Sequence, residues 1–152
     1  MQLEDILWDK LLIPDMQLFR RSTARRTIRY SVQDSGDEAL SVFGLKVIQS
    51  LVLPARKRGV IYICSYATGE VISGALKCPF YKARADDKGE LLREWMGYCG
   101  WIVATSALGT GINIEDIIVV VHIDRPYGLT GFAQQSGRGG RGGEVSDSIV
   151  VV

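Results

Sequence analysis

The sequence predicts an α/β domain built on a parallel sheet with helices on both faces. Two observations carry that prediction. The first is a set of dense apolar runs, RGVIYIC (58–64), WIVAT (101–105), DIIVVVHI (116–123) and DSIVVV (147–152). Runs this rich in β-branched residues suit strands buried on both faces, as in parallel sheets. The second is that stretches with helical spacing separate them, which is the pattern of βα units.

The elements follow in order. TIRYSV (27–32) alternates bulky and polar residues and reads as a short strand. Asp34 or Ser35 is placed to cap a helix whose apolar side holds Leu40, Phe43, Leu45, Val47, Ile48 and Leu51. Pro54 ends that helix, PARKRG forms a polar turn, and the strand 58–64 follows. A helix-like stretch then runs to Lys77, and CPFYKA (78–83) is a short strand candidate. DDKGELLREWMGY (86–98) places Leu91, Leu92, Trp95 and Met96 on one helical side, with Asp86 or Asp87 as cap. After strands 101–105 and 116–123, GLTGFAQQSG (128–137) reads as helical, and strand 147–152 comes last.

Composition narrows the class. The chain has 152 residues, with 18 Lys plus Arg against 17 Asp plus Glu, a formal net charge of +1. That balance excludes a polybasic binder, so any nucleic-acid contact has to come from local placement of charge. Hydrophobic residues at 47% and charged residues at 23% match an ordinary globular domain. Cys64, Cys78 and Cys99 are too few and too scattered for a disulfide framework, and a reducing compartment fits them. With a single histidine, His122, and no C-x-x-C pair, no metal site is expected. His122 itself reads as a satisfied core histidine, and Trp8, Trp95 and Trp101 as packing residues. No apolar run approaches the roughly 20 residues that span a bilayer, so no membrane role is expected.

The chemistry concentrates in two phrases. Ala104-Thr105-Ser106-Ala107-Leu108-Gly109-Thr110-Gly111-Ile112-Asn113 leaves the end of a buried strand. Thr105 and Ser106 offer hydroxyls and N–H groups there, and Gly109 and Gly111 permit turns that expose backbone to a phosphate. A tight turn alone also accounts for these glycines. The second phrase, Gln134-Gln135-Ser136-Gly137-Arg138-Gly139-Gly140-Arg141-Gly142, follows a helix. Its two arginines, three apart, are expected on one side of a helical turn. A planar guanidinium suits transferring phosphoryl oxygens, whereas a solvated surface charge is the plain alternative. Gly137, Gly139 and Gly142 also fit G-x-G-x-x-G, but the strand that a dinucleotide site needs does not precede them. A small arginine–glycine nucleic-acid box is a further reading. No Gly-Lys dipeptide occurs, so no P-loop is present, and Asp37-Glu38 belongs to a helix start rather than an acidic metal box. Arg20, Arg21, Arg25, Arg26 and Arg29 cluster upstream, either tracking a DNA backbone or forming a solvated linker face.

Taken together, ATSALGTGIN, VVVHIDRP and QQSGRGGRGG closely resemble motifs V and VI of RecQ-like superfamily 2 DNA helicases. RGVIYICS (58–65) resembles motif IV, FYKARADDKGELLREW (80–95) the segment after it, and STARRTIRYSV (22–32) the linker into the second motor domain. The resemblance spans about residues 20–152. Leu108, Thr110, Gln135, Gly142, Lys82 and Thr27 depart from the family's Phe, Met, Glu, Asp, His and Asn.

The resemblance implies a single RecA-like domain over residues 35–152, with residues 1–34 as interdomain linker or the end of a first motor domain. It implies the second motor domain of an ATP-dependent 3′-to-5′ DNA helicase. ATP and Mg²⁺ would be held mainly by a first RecA-like motor domain that carries the P-loop and acidic box. Arg141 would act as arginine finger beside Arg138, with Gln134 reading nucleotide state. Gly109, Gly111 and Asn113 would line the nucleotide cleft, and Thr105, Ser106 and Ser65 would contact DNA. The isolated chain is expected to be inactive, and to be a fragment, a truncated gene product or a degenerate copy. Its location would be nuclear in a eukaryote and cytoplasmic otherwise. The alternatives are a non-catalytic module derived from a helicase, or the C-terminal domain of a DEAD-box RNA helicase.

Overall fold

A computed structural model describes residues 25–84, 86–109 and 113–152. The strands are β1 (Ile28–Gln33), β2 (Arg58–Ile63), β3 (Phe80–Tyr81), β4 (Gly100–Ala104), β5 (Ile117–Ile123) and β6 (Ser146–Val151). The helices are α1 (Leu40–Ser50), α2 (Tyr66–Leu76), α3 (Lys88–Tyr98) and α4 (Leu129–Ser136), with a 3₁₀ turn at Ser106–Gly109. The six strands form one sheet in the order β1-β6-β5-β2-β4-β3, and every pairing is parallel. The predicted α/β class is therefore the observed one.

Successive strand residues point to opposite faces, and two cores result. Ile61, Ile63, Val121 and Ile149 pack under α1 and α2 through Val47, Ile48 and Ile72. Val60, Tyr62, Ile102 and Val120 pack on the other face against Trp95 of α3 and Leu108 of the 3₁₀ turn. Truncating a fully buried residue such as Ile48 or Ile61 to Ala costs about 2–5 kcal/mol. Both faces of β2 and β5 are covered, which is why these strands read as continuous apolar runs. The β5 register shifts by one residue where it meets Arg58 and Gly59 of β2. This bulge lets Ile117 face one core while Ile118 and Val119 both face the other.

Several local expectations need correction. The cap of α1 is Ala39, with no side-chain cap bond. Asp34 instead accepts from the Gly36 N–H at 2.9 Å, closing a turn ahead of the helix. Asp37 and Glu38 also precede α1, and Glu38 pairs with Lys46. Asp87 occupies the cap position of α3 but makes no cap bond. CPFYKA contributes only two strand residues, at the sheet edge. Within the segment read as linker, β1 is itself the opposite edge strand, paired along its whole length with β6. No helix among the described residues is long and apolar enough to cross a membrane.

Candidate functional site

The carboxyl ends of β2, β4 and β5 meet at a cavity of about 440 Å³. Its lining includes Cys64, Tyr66, Thr105, Ser106, Asp124 and Tyr127, so the two predicted hydroxyls face an open space where open parallel sheets hold ligands. Ser65 is exposed just ahead of α2, between two lining residues, and its hydroxyl makes no cap bond to the helix. Gly109 closes the 3₁₀ turn, whereas Gly111 lies outside the described residues.

From this end of the sheet, α4 carries the chain back to the other. Its eight residues span about 12 Å. The glycine-rich turn that follows docks at the start of β5, where the Gly140 N–H donates to the Ile117 carbonyl at 2.9 Å. The arginines consequently sit near the amino end of β5, a strand about 20 Å long, away from Thr105 and Ser106.

The expectation that Arg138 and Arg141 share one side of a helical turn is not met. The helix stops at Ser136, and the arginines lie on successive turns beyond it. Gly140 adopts a positive φ of 65°, and a Cβ there would lie 2.8 Å from the Glu144 carbonyl, so the chain leaves the helical path. The side chains diverge in exposure. Arg138 is only 5% exposed. Arg141 is exposed and donates through Nη1 to Asn113 Oδ1 at 2.5 Å. Both act on one neighbour: burial pushes the Tyr62 phenol up to about 12, against the opposing pull of Arg138 and then Arg141. Gln134 is exposed on α4.

The turn is fixed by residues the motif does not contain. Arg25 donates through Nη1 to the Gly137 carbonyl and through Nη2 to the Gly140 carbonyl, the latter at 3.1 Å. Ser136 and Ser148 share a buried hydroxyl–hydroxyl bond of 2.8 Å that pins the end of α4 to β6. Lys57 donates to Asp116 at 2.6 Å and lies 3.7 Å from Glu144, tying the start of β2 to the far side of the turn. Nothing in the sequence singled out Arg25 from its cluster. Another member, Arg29, makes a two-pronged bond to Asp147 at 2.8 and 2.9 Å. Arg25 thus binds protein groups, which is neither of the roles expected for the cluster, whereas Arg29 stays on a solvated face while paired to Asp147.

His122 lies in the core, 2% exposed, stacked on Tyr62 at 5.5 Å and tilted against Phe132 at 5.0 Å. Burial pushes its imidazole down to about 4, despite the Gln135 side chain and the Ile149 backbone, which favour the proton. Neither ring nitrogen has a partner in hydrogen-bond geometry among the described residues, so the core placement is as expected but the ring is not satisfied. Trp95 and Trp101 are packing residues, the former donating to the Gly100 carbonyl at 3.0 Å. Among the described residues no three His, Cys, Asp or Glu side chains gather as metal ligands.

A family profile described as "Helicase conserved C-terminal domain" matches residues 47–143. The chain is 26% identical to "RecQ-like DNA helicase BLM" of Xenopus laevis over 97% of its own length and 11% of the relative's. It is 29% identical to "Putative ATP-dependent DNA helicase Q1" of Caenorhabditis elegans over 96% of its length and 24% of the relative's. The chain thus spans a quarter or less of these two relatives. Among solved structures it is similar to the C-terminal domain of the DEAD-box protein Dbp5, with TM-score 0.69 and 21% identity over 83% of this chain and 77% of that one. Dbp5 of Saccharomyces cerevisiae bound to RNA and ADP BeF3 superposes with TM-score 0.70 at 19% identity, over 100% of this chain and 43% of the other. These structural likenesses establish the shared fold.

Proposed function

The chain belongs to the helicase conserved C-terminal domain family, and from that premise we propose that it forms the second of two motor domains in an ATP-dependent 3′-to-5′ DNA helicase of the RecQ type. The observation that carries the reading is Arg141. Its guanidinium is exposed, steadied by Asn113, and mounted on a turn locked by Arg25 and by the Gly140–Ile117 bond. A planar cation fixed before the ligand arrives suits phosphoryl oxygens, because little reorganisation is then needed.

The residues divide by role. Arg141 is the arginine finger, reaching across a cleft toward the first motor domain. Arg138, buried beside Tyr62, sets the position of the turn that carries the finger. Asn113 orients Arg141 and links the cleft to the phrase that bears Thr105 and Ser106. Those two hydroxyls, with Ser65, bind the sugar–phosphate backbone of the tracked strand. Gln134 is free on the surface of α4 to meet the nucleotide or the partner domain. Gly109, which closes the 3₁₀ turn, lines the nucleotide cleft with Asn113. Bound ATP with Mg²⁺ supplies the energy of stepping, and the P-loop and acidic residues that hold them come from the first domain. The isolated chain on this reading hydrolyses no ATP. In a eukaryote the assembled protein is nuclear.

A rebuilt two-domain motor tests this, with a matching first domain fused upstream. Arg141→Ala is expected to cut DNA-stimulated ATP turnover by about 10³–10⁵-fold while single-strand binding stays near normal. Arg141→Lys fails as well, since a point charge lacks the planar fork. Near-normal turnover in both Arg138→Ala and Arg141→Ala overturns the reading. A second reading, an RNA-directed motor, draws on a 45-residue stretch 49% identical to "Putative ATP-dependent RNA helicase R290" of Acanthamoeba polyphaga mimivirus. Matched DNA and RNA strands in the same assay separate the two. A non-catalytic binding module would leave turnover absent in the rebuilt motor too.

A further inference from the structure

The cavity at the carboxyl ends of β2, β4 and β5 has walls unlike those of a phosphate site. Its lining holds no Lys or Arg, and its one carboxylate belongs to Asp124. Asp124 Oδ1 accepts from the Arg125 N–H at 2.7 Å. Tyr66 and Tyr127 are 48% and 92% exposed, and Phe132 and His122 stand further in, their rings 5.0 Å apart. His122 is neutral at ordinary pH, and its two ring nitrogens are buried without a partner in hydrogen-bond geometry. Gln135, also in the lining, adds an amide with both donor and acceptor. An anion in the inner part of such a space loses hydration with no cation in the lining to offset it, so phosphates are favoured only at its rim, where Thr105 and Ser106 stand. A planar neutral ring with donors and acceptors on its edge meets faces to stack on and the polar groups of Asp124 and Gln135 to pair with. The volume of about 440 Å³ is within the usual range for small-ligand pockets. Thr105 and Ser106 stand in the same lining, so a strand whose phosphates touch those hydroxyls has a base within reach of the cavity.

We infer that this cavity takes one unstacked nucleobase from a bound single strand, stacked on Tyr127 and Tyr66 and read on its edge by Asp124 and Gln135. This rests on the proposed strand contact at Thr105 and Ser106 and adds to it a base-holding step. A captured base gives the domain a grip on the strand that does not depend on charge and therefore persists as salt rises.

The test uses the 152-residue chain at low salt with three probes. These are a short single strand carrying 2-aminopurine at every candidate position in turn, the same strand with abasic sites, and free adenosine followed by chemical-shift changes. The intact strand is expected to bind about tenfold more tightly than the abasic strand, with 2-aminopurine fluorescence changing at one register. Tyr127→Ala and Gln135→Leu are expected to erase that difference while leaving abasic binding unchanged. Tyr127 is almost fully exposed, so its truncation leaves the core intact. Equal affinity for intact and abasic strands overturns the base pocket and leaves the backbone contact standing. Loss of all strand binding, with adenosine still shifting resonances of Tyr127 and Gln135, supports the pocket and overturns the strand contact. Silence of all three probes overturns both.

Discussion

Arg141 donates to the side-chain oxygen of Asn113 at 2.5 Å, joining two segments 28 residues apart on the surface of the domain. One segment follows β4 and the other follows α4. The bond holds an exposed, flexible cation in one direction before any ligand arrives, which lowers the entropy lost on engagement. Asn113→Ala in the two-domain motor is expected to lower kcat by roughly tenfold to a hundredfold, with KM for ATP and strand affinity little changed. A fall confined to strand affinity, with kcat intact, would mean that Asn113 serves the strand and not the finger.

Arg25 provides the second prediction. It reaches across 112 residues of sequence to the Gly137 carbonyl and 115 to the Gly140 carbonyl, filling acceptors that the end of α4 leaves open. Hydrogen bonds to charged donors contribute about 1.5–3 kcal/mol each, and part of that is recovered by water once the site opens. Arg25→Ala is therefore expected to lower stability by about 1–3 kcal/mol in urea unfolding. Turnover of the rebuilt motor should fall with it, because the turn bearing Arg141 loosens. Arg26→Ala, an exposed neighbour, is the control and should change stability by less than about 0.5 kcal/mol. Equal effects of the two substitutions would show that Arg25 has no latch role.

These two residues also mark how far a sequence can be read. The strands around β2, β4, β5 and β6 were legible because burial on both faces forces long apolar runs, and a run of that kind has few other uses. The helices were legible from spacing, but not their caps, since Asp34 satisfied a turn instead of a helix end. The Gly-rich phrase was misread as a helical turn. Spacing alone does not reveal that Gly140 takes a positive φ. The Arg25 contact was not legible at all, because it depends on which strand lies beside which. Pairing of β1 with β6 brings Thr27 to Ser146, and with it Arg25 to the turn. The place of the cavity was legible, since a parallel sheet points to the loops after Cys64, Thr105 and Ile123, but its shape was not, because its walls come from four separate stretches of chain.

Binding of single-stranded DNA by the chain alone offers a third prediction. The net charge is +1, and two of the arginines near the start of the sheet are already engaged by protein groups. Few phosphates are then neutralised. Each contributes a slope of about 0.7 in the dependence of log affinity on log salt. The expected result is weak binding with a slope of about 1–3, measured by fluorescence titration at several salt concentrations. A slope several times larger would mean that many more phosphates are neutralised than the near-zero net charge suggests. In the same preparation, phosphate release from ATP should stay at background with or without DNA.

The last prediction concerns pH and follows from His122. In the unfolded chain its pKa is near the ordinary 6.5, whereas burial holds it down to about 4 in the fold. The unfolded state therefore binds a proton between those values that the folded state refuses. Stability rises with pH wherever the unfolded state carries more protons, so this contribution is fully present above about pH 7 and declines as pH falls toward 4. Below that both states are protonated and the loss levels off. The full span amounts to about 3 kcal/mol, since each unit of displacement is about 1.4 kcal/mol. Carboxylates such as Asp116, held below its usual range by Lys57, add their own acid sensitivity, but at lower pH. His122→Phe keeps a ring between Tyr62 and Phe132 and removes the titration. Urea unfolding of both proteins at half-unit steps from pH 7.5 to 4.5 isolates the difference. The wild-type curve is expected to fall more steeply than the variant's between pH 6.5 and 4.5 by about 2 kcal/mol, the rest of the span lying on either side of that window. Parallel curves across the window would mean that His122 titrates alike in both states, and that the ring is more hydrated than its burial implies.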